Sequence, residues 1–325
     1  MTSVKEMTCR ICKNSEKGRA FQVREMMFGL RENFTYFECS QCGCLQIADI
    51  PKELTKYYPS DYCSFDQSVS ESPMKRYLRI RRDRYTFFGI GIIGKLVCKR
   101  FPNDLLKMIA VTGTTPDSEI LDVGCGSGRF LFSLRDLGFK NLTGIDPFAR
   151  REFIADDIRV MRKTIHDLPD NNSFDLIVFN HSLEHIPDQL ETLSKVSHIL
   201  ADGGVCFVRM PVKTETIWKL YGVDWVQIDA PRHLFVHTIA SFRYLSREAG
   251  LQVKSVLFDS TAFLFCGSER YKNDIPLAAK VSCGLNPIKH LSNQNQIRKF
   301  RRMAAELNTI NQGDQAIFCL AHNPE

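Results

Sequence analysis

The sequence predicts an α/β fold, a doubly wound, largely parallel sheet, with a small cysteine-rich module ahead of it. Three observations carry that expectation. From residue 119 onward, short apolar runs alternate with helical segments, and such alternation builds a parallel sheet with ligands at the carboxyl ends of its strands. The first run feeds a glycine-rich turn, Asp122-Val-Gly124-Cys-Gly126-Ser-Gly128, where backbone can approach a ligand without side-chain obstruction. Two Cys-x2-Cys pairs, Cys9/Cys12 and Cys39/Cys42, stand ahead of the alternating part.

Taken in order, residues 1–65 form the cysteine module. A two-residue spacer lets both thiolates of a turn reach one ion, and zinc prefers four soft ligands in a tetrahedron. The 26 residues between the pairs exceed the usual ribbon spacing of about 15–20. They fit as a hairpin: "FQVREMMF", a turn at Gly29, then the aromatic, β-branched "NFTYFEC". Four sulfurs leave zinc no open position, so Cys9, Cys12, Cys39 and Cys42 predict a structural ion, not a catalytic one. Cys44 is a fifth thiol, either spare or a replacement for Cys42.

Residues 66–115 read as a basic helical linker. Between Met74 and Arg100 stand nine lysines and arginines against one acid, Asp83, a candidate contact for an anionic surface or else a solvated helix. The domain proper spans 116–325. Its strands are expected at 119–124, 141–147, 158–163, 174–179, 204–210, 251–258 and 315–321, with helices at about 188–200 and 239–249. A basic, mostly helical insertion over 269–309 suggests a lid or a homodimer surface.

Composition is that of an ordinary globular chain: 325 residues, 44% hydrophobic, 25% charged, net charge +6. No apolar run reaches the roughly 18 residues a membrane span needs; the nearest, "FFGIGIIGKLV", is interrupted by Lys95. Twelve cysteines behind a polar N-terminus point to free thiols in a reducing compartment, hence a cytoplasmic chain.

Asp146 ends the second strand of the domain, where an acid can accept hydrogen bonds from both ribose hydroxyls. Together, "ILDVGCGSGRFL", "GIDP", "FDLIVFNHSLEHIPD" and "ILADGGVCFVRMP" resemble the successive motifs of class I S-adenosylmethionine-dependent methyltransferases, over residues 119 to about 211. The cysteine module resembles the zinc-binding segment that precedes this domain in some sugar and surface-polysaccharide methyltransferases. The longer sugar C-methyltransferases of that kind carry a further C-terminal domain, which this chain is too short to hold, so oxygen is favoured over carbon as acceptor.

The resemblance implies a Rossmann-like sheet that binds S-adenosyl-L-methionine. Gly124, Gly126 and Gly128 would line its methionine end, with Asp122 orienting the amino group through the loop and Asp146 holding the ribose. Ile165 would pack on the adenine, and Asn180 and His181 would sit where methyl and acceptor meet. His185 could be structural. The loop "KLYGVDWVQIDAPRHLFVHT" resembles a stretch of the zinc-module enzymes; it offers His233 as base or substrate ligand, Arg232 as a polar contact, and Tyr221 and Trp225 as an aromatic floor for a sugar ring. A small-molecule or glycan acceptor is therefore expected. Two alternatives stand beside it: an RNA methyltransferase with an N-terminal zinc finger, and a catalytically inactive cofactor-binding protein. Against nucleic acid, "NHSLEH" is not the Asn-Pro-Pro-aromatic type of amino-directed base methylators, and the basic residues lack a stacking platform.

Overall fold

The computed structural model describes residues 8–16, 18–58, 71–155, 157–278 and 294–323. The boundary expected at 65/66 and residues 279–293 of the expected insertion lie outside them. Among the described residues, twelve strands form two sheets.

The small sheet runs β1 (Arg19–Arg24), β2 (Asn33–Glu38), β3 (Leu45–Ile47) and β10 (Phe235–Val236), all neighbours antiparallel. β1 and β2 are the hairpin expected from the aromatic, β-branched sequence between the cysteine pairs. β10 comes from the far end of the chain. It places Phe235 opposite Gln46 and Val236 opposite Leu45, so the cysteine module shares its sheet with the rest of the protein. Tyr36 Oη donates to the His233 carbonyl at 2.8 Å, Thr238 Oγ1 donates to the Cys42 carbonyl at 2.9 Å, and Lys213 pairs with Glu38 at 2.8 Å.

The large sheet has eight strands in the order β11 (Leu251–Phe258), β12 (Gln315–His322), β9 (Leu200–Pro211), β8 (Phe174–Asn180), β4 (Glu119–Val123), β5 (Asn141–Ile145), β7 (Ile158–Met161), β6 (Phe153–Ala155). The run from β7 through β5, β4 and β8 to β9 is parallel. β12 inserts antiparallel between β9 and β11, and β6 lies antiparallel on β7. Both faces are covered, which is why the strands read as continuous apolar runs. Along β8, Leu176 and Val178 enter one core with Leu131 and Leu134, while Ile177 and Phe179 enter the other with Val208 and Met210.

Three helices precede the sheet: α1 (Pro73–Phe88), α2 (Ile92–Arg100) and α3 (Asp104–Ile109). Helix α1 starts on a Ser72 cap, whose side chain accepts from the Lys75 amide, with proline at the first position. This segment packs on the domain and is not a free linker: Leu105, Leu106 and Ile109 join the same core as Leu131, and Phe87 meets Phe139 edge-on at 5.3 Å. Some of its cations are committed. Arg76 and Arg79 pair with Asp136, in α4 (Arg129–Arg135) and its C-terminal cap, at 2.6 and 2.8 Å, and Arg82 pairs with the buried Asp83 at 2.8 Å.

Helices α5 (Gln189–Ile199), α6 (Glu215–Tyr221) and α7 (Ile239–Glu248) follow the later strands. Helix α8 (Phe263–Lys272) begins before the insertion expected at 269, and α9 (Gln294–Thr309) closes it. Past α8 the chain binds the hairpin loop of the cysteine module, where Leu277 and Ala278 amides donate to Met26 and Met27 carbonyls at 2.9 and 2.7 Å. Module and insertion thus meet above the carboxyl ends of the strands. None of the described helices is long and apolar enough to cross a membrane.

Candidate active site

A cavity of about 1150 Å³ opens at the carboxyl ends of β4, β5 and β8. Three parts of the chain wall it: the tips of those strands, the cysteine module and its exit (Met27, Lys52, Leu54, Tyr58), and the later segment that carries Asp229, His233, Tyr271 and Leu277.

One end is the glycine loop. Gly124 has φ +74°, and a Cβ there would stand 2.4 Å from Ser182 Cβ, so the loop closes against the β8 tip only because residue 124 lacks a side chain. Ser182 Oγ donates to the Val123 carbonyl at 2.6 Å, clamping the same junction. Asp146 follows β5, and its two oxygens accept from the Gly126 and Phe148 amides at 2.9 and 2.8 Å. Burial raises its pKa despite those donors. Asp122, buried beside it, is pushed up to about 7 by desolvation and by the charge of Asp146. Two acids in one apolar end make a cavity ready for a cation.

Of the residues expected at the cofactor, Asp122, Gly124, Gly126, Asp146, Ile165 and Asn180 all line this cavity. Gly128 instead caps α4 with φ +75°. Thr164 begins the turn around Ile165; its amide and hydroxyl both donate to Asp167, at 2.7 and 2.8 Å, turning that acid away. Asn180 is held from behind by Arg209, whose Nη1 donates to it at 3.4 Å and whose Nε donates to Asp259 at 2.6 Å.

The other end is a cluster of imidazoles around a carboxylate. His181 follows β8 in a left-handed conformation, φ +57°, unusual outside glycine. Its Nδ1 lies 3.4 Å from Glu184 Oε1. Glu184 is fully buried; desolvation pushes its pKa up, but His181, His185 and His233 outweigh that and hold it at about 2. His185 is lowered to about 4 by burial and by His233. The His185 and His233 rings meet edge-on at 4.8 Å. His181, His185 and His233 line the cavity, as does Asp229.

Three residues expected to contact substrate are placed elsewhere. Arg232 does not line the cavity. It is fully buried in an ion network, with Nε and Nη2 donating to Asp229 at 2.9 and 2.6 Å, Nη2 to Glu25 at 3.1 Å and Nη1 to the Tyr57 carbonyl at 3.2 Å. Its role is a tie between module and domain. Trp225 is also fully buried, donating from its indole nitrogen to Asp314 at 3.2 Å. Tyr221 packs on Phe265 and donates to Glu269 at 2.9 Å. Trp225 is a core residue and Tyr221 is half-buried against the same core, because the chain folds back under α8 there, and neither lines the cavity. Of two acids that sequence reasoning passed over, Asp229 lines the cavity and Glu184 is buried behind His181. The signal for Glu184 was present: the spacing His181-x-x-Glu184 stacks the two after a strand, and an ionisable group in "SLEHI" is out of place unless partnered.

The four cysteines also converge. Cys9 and Cys42 sulfurs lie 3.7 Å apart, Cys12 and Cys39 3.5 Å apart, and all four stand within 4.8 Å of one another. Zn–S bonds of about 2.3 Å in a tetrahedron put sulfurs about 3.8 Å apart, so the set fits zinc. Gln46 Nε2 donates to Cys9 at 3.1 Å, the outer support that thiolate ligands usually receive. Cys44 is buried outside the set, its thiol directed at the Leu45 carbonyl.

Comparison with known proteins agrees with this architecture. Residues 97–256 match the family described as a methyltransferase domain. The chain is 30% identical over 101 residues to a tRNA U34 carboxymethyltransferase of Campylobacter fetus, covering 28% of this chain and 36% of that one. It is 24% identical over 174 residues to a ubiquinone biosynthesis O-methyltransferase of Rickettsia bellii, covering 49% and 72%. Among solved structures it is similar to a chain from the complex of the Haloferax volcanii Trm112 methyltransferase activator with a methyltransferase, at 19% identity and TM-score 0.47, covering 75% and 98%. The matched segment spans little more than a third of the Campylobacter enzyme.

Proposed function

We propose, from a chain whose residues 97–256 are an S-adenosylmethionine-dependent methyltransferase domain, that the protein methylates a hydroxyl of a sugar, nucleotide-linked or part of a surface glycan. The observation that supports this reading is the set of histidines, His181, His185 and His233, lining the same cavity as the glycine loop, with Glu184 buried behind His181. A hydroxyl must lose its proton near the transition state, and a histidine backed by a carboxylate is suited to take it. The cavity, about 1150 Å³, exceeds the roughly 300–1,000 Å³ of an ordinary single-ligand pocket, which leaves room for cofactor and acceptor together.

When bound, S-adenosylmethionine supplies a methyl group already activated by a positive sulfur. Asp146 would hold its ribose, the Gly124–Gly126 backbone and Asp122 its methionine end, and Ile165 the adenine. His181 takes the acceptor proton, and Glu184, 3.4 Å behind it, stabilises the imidazolium. Asn180 and His233 orient the acceptor. The module exit and the segment around Leu277 cover the site and exclude water, and alignment of this kind contributes up to about 7–11 kcal/mol. Zinc on Cys9, Cys12, Cys39 and Cys42 would fix the module that supplies the cover, with no part in the chemistry.

The test is transfer of labelled methyl into a panel of nucleotide sugars, glycans and RNA. Incorporation into a sugar hydroxyl, falling at least 100-fold in His181→Ala with cofactor affinity retained, supports the reading. Incorporation into RNA alone would replace the acceptor, a reading favoured by Lys52 and Arg150 at the cavity wall and by the named activity of the Campylobacter relative.

The hairpin of α1 and α2 suits an anionic membrane surface, which would bring the enzyme to a lipid-linked acceptor. Ile90, Ile92, Ile93, Leu96 and Phe101 are exposed beside Lys95, Lys99 and Arg100, pairing apolar insertion with cationic attraction. Sedimentation with phosphatidylglycerol vesicles but not phosphatidylcholine vesicles, lost in Ile92→Asp/Leu96→Asp, is the expected result. Equal sedimentation of both proteins would refute it.

A further inference from the structure

Glu184 is a buried carboxylate that neighbouring imidazoles approach without an aligned hydrogen bond. It is fully buried, and among the described residues neither carboxylate oxygen has a hydrogen-bond partner, an unfavourable state for a carboxylate. His181 Nδ1 comes within 3.4 Å but without hydrogen-bond alignment.

The two histidines beyond it are arranged as acceptors. His185 Nδ1 lies 2.9 Å from the Arg232 carbonyl, and His233 Nδ1 lies 2.8 Å from the Gln227 carbonyl. A carbonyl can only accept, so each of these contacts calls for a proton on Nδ1 and leaves Nε2 its lone pair; at His185 the Tyr58 hydroxyl, 3.1 Å from Nδ1, faces the same proton. A backbone carbonyl on the far nitrogen is the usual second partner of a metal-bound imidazole. His233 Nε2 lies 4.0 Å from Glu184 Oε1 and 3.8 Å from Asp229 Oδ2. One ligand atom from each of Glu184, His185 and His233 falls within 4.8 Å of the other two. His233 Nε2 thus faces two carboxylates with His185 beside them, an arrangement that favours a cation among these groups.

We propose that Glu184, His185 and His233 bind a divalent first-row transition cation, separate from the four-cysteine cluster. Two imidazoles and one carboxylate suit manganese, iron(II), cobalt or zinc and leave coordination positions open. His185 and His233 line the cavity, so the open positions face the acceptor, and a polyol with neighbouring hydroxyls would fill two of them. This last step rests on the function proposed above; the cation site does not. A cation held there would acidify a bound hydroxyl. Its proton passes to His181, the oxygen electron pair forms the new O–CH3 bond, the methyl–sulfur bond breaks, and S-adenosylhomocysteine leaves with the sulfur pair.

The experiment is a Mn2+ titration of the full, zinc-loaded chain, following the free-ion signal by electron paramagnetic resonance. Manganese prefers oxygen and nitrogen donors and does not compete for four thiolates. Wild type is expected to bind one Mn2+, with affinity falling at least 10-fold in Glu184→Gln and in His233→Ala and unchanged in His198→Ala, an exposed histidine of α5. Unfolding midpoints are measured in parallel, and lost Mn2+ binding in a variant still folded at the titration temperature separates lost ligation from lost fold. Absence of Mn2+ binding in wild type, or equal binding by Glu184→Gln, overturns the proposal. Methyl transfer is scored separately. Site-dependent Mn2+ binding with no transfer to any acceptor upholds the cation site and refutes the function, whereas transfer undiminished by emptying the site overturns the cation's catalytic part.

Discussion

Replacing Arg232 with methionine distinguishes a structural tie from a substrate contact. The guanidinium is buried between Asp229 and Glu25, stacks over Phe28 with its carbon 5.1 Å from the ring centroid, and caps the Tyr57 carbonyl. Methionine fills much of the same volume but strands both carboxylates. Glu25 keeps only the Phe28 and Leu30 amides, at 2.9 Å each. Removing one partner of a buried ion pair costs about 3–5 kcal/mol, because the other charge is left uncompensated. For a protein of this size that lowers the unfolding midpoint by roughly 5–15 °C. The assay is thermal unfolding by circular dichroism with zinc saturating, beside a direct measurement of cofactor binding. Glu25→Gln in the same background should recover part of the loss, since one stranded charge is then gone. The reasoning fails if Arg232→Met unfolds at the wild-type temperature while methyl transfer is abolished, for then the arginine acts on substrate.

Gly124→Ala places a Cβ 2.4 Å from Ser182 Cβ at φ +74°; a strain of about 1–3 kcal/mol should weaken S-adenosylmethionine binding 10-fold or more, measured by calorimetry, and unchanged affinity would remove the loop from the cofactor site. Asp122 is raised from 3.8 to about 7 by burial and Asp146, so its contribution to stability is present at low pH and lost as pH climbs from about 4 through 7. The loss is on the order of 4 kcal/mol at most, about 1.4 per pKa unit. Asp122→Asn should therefore gain stability on wild type between pH 5 and 8 in cofactor-free denaturant unfolding; a pH-independent difference would contradict the assignment. Cys39→Ser should lose zinc by plasma mass spectrometry and loosen the module, while Cys44→Ser keeps it, and the reverse result would move the ligand set.

The parts of the fold legible beforehand are those in which a local pattern decides the outcome. β8 reads as "FDLIVF" because both its faces are buried, and the paired cysteines announce their cluster by spacing alone. The pairing of β10 with β3 could not be read, since a two-residue strand carries no periodicity and its partner lies almost 190 residues away. The reversed direction of β12 was equally hidden, because strand direction depends on where the connection re-enters the sheet. Asp146, His181 and His233, which line the cavity, were legible because they follow recognisable strands or motifs. Trp225 and Arg232 were misplaced for one physical reason. An aromatic or a cation beside apolar residues looks the same in sequence whether it borders a cavity or, as here, is buried against Asp314 or Asp229. Glu25, which makes Arg232 structural, is 207 positions away.

The most direct test is the structure of the full chain bound to S-adenosylhomocysteine. The account predicts its ribose hydroxyls on Asp146, its adenine against Ile165, and its sulfur directed from the Gly124 loop toward His181 and the Glu184 cluster. A ligand whose ribose avoids Asp146, or whose sulfur points away from that cluster, would contradict it.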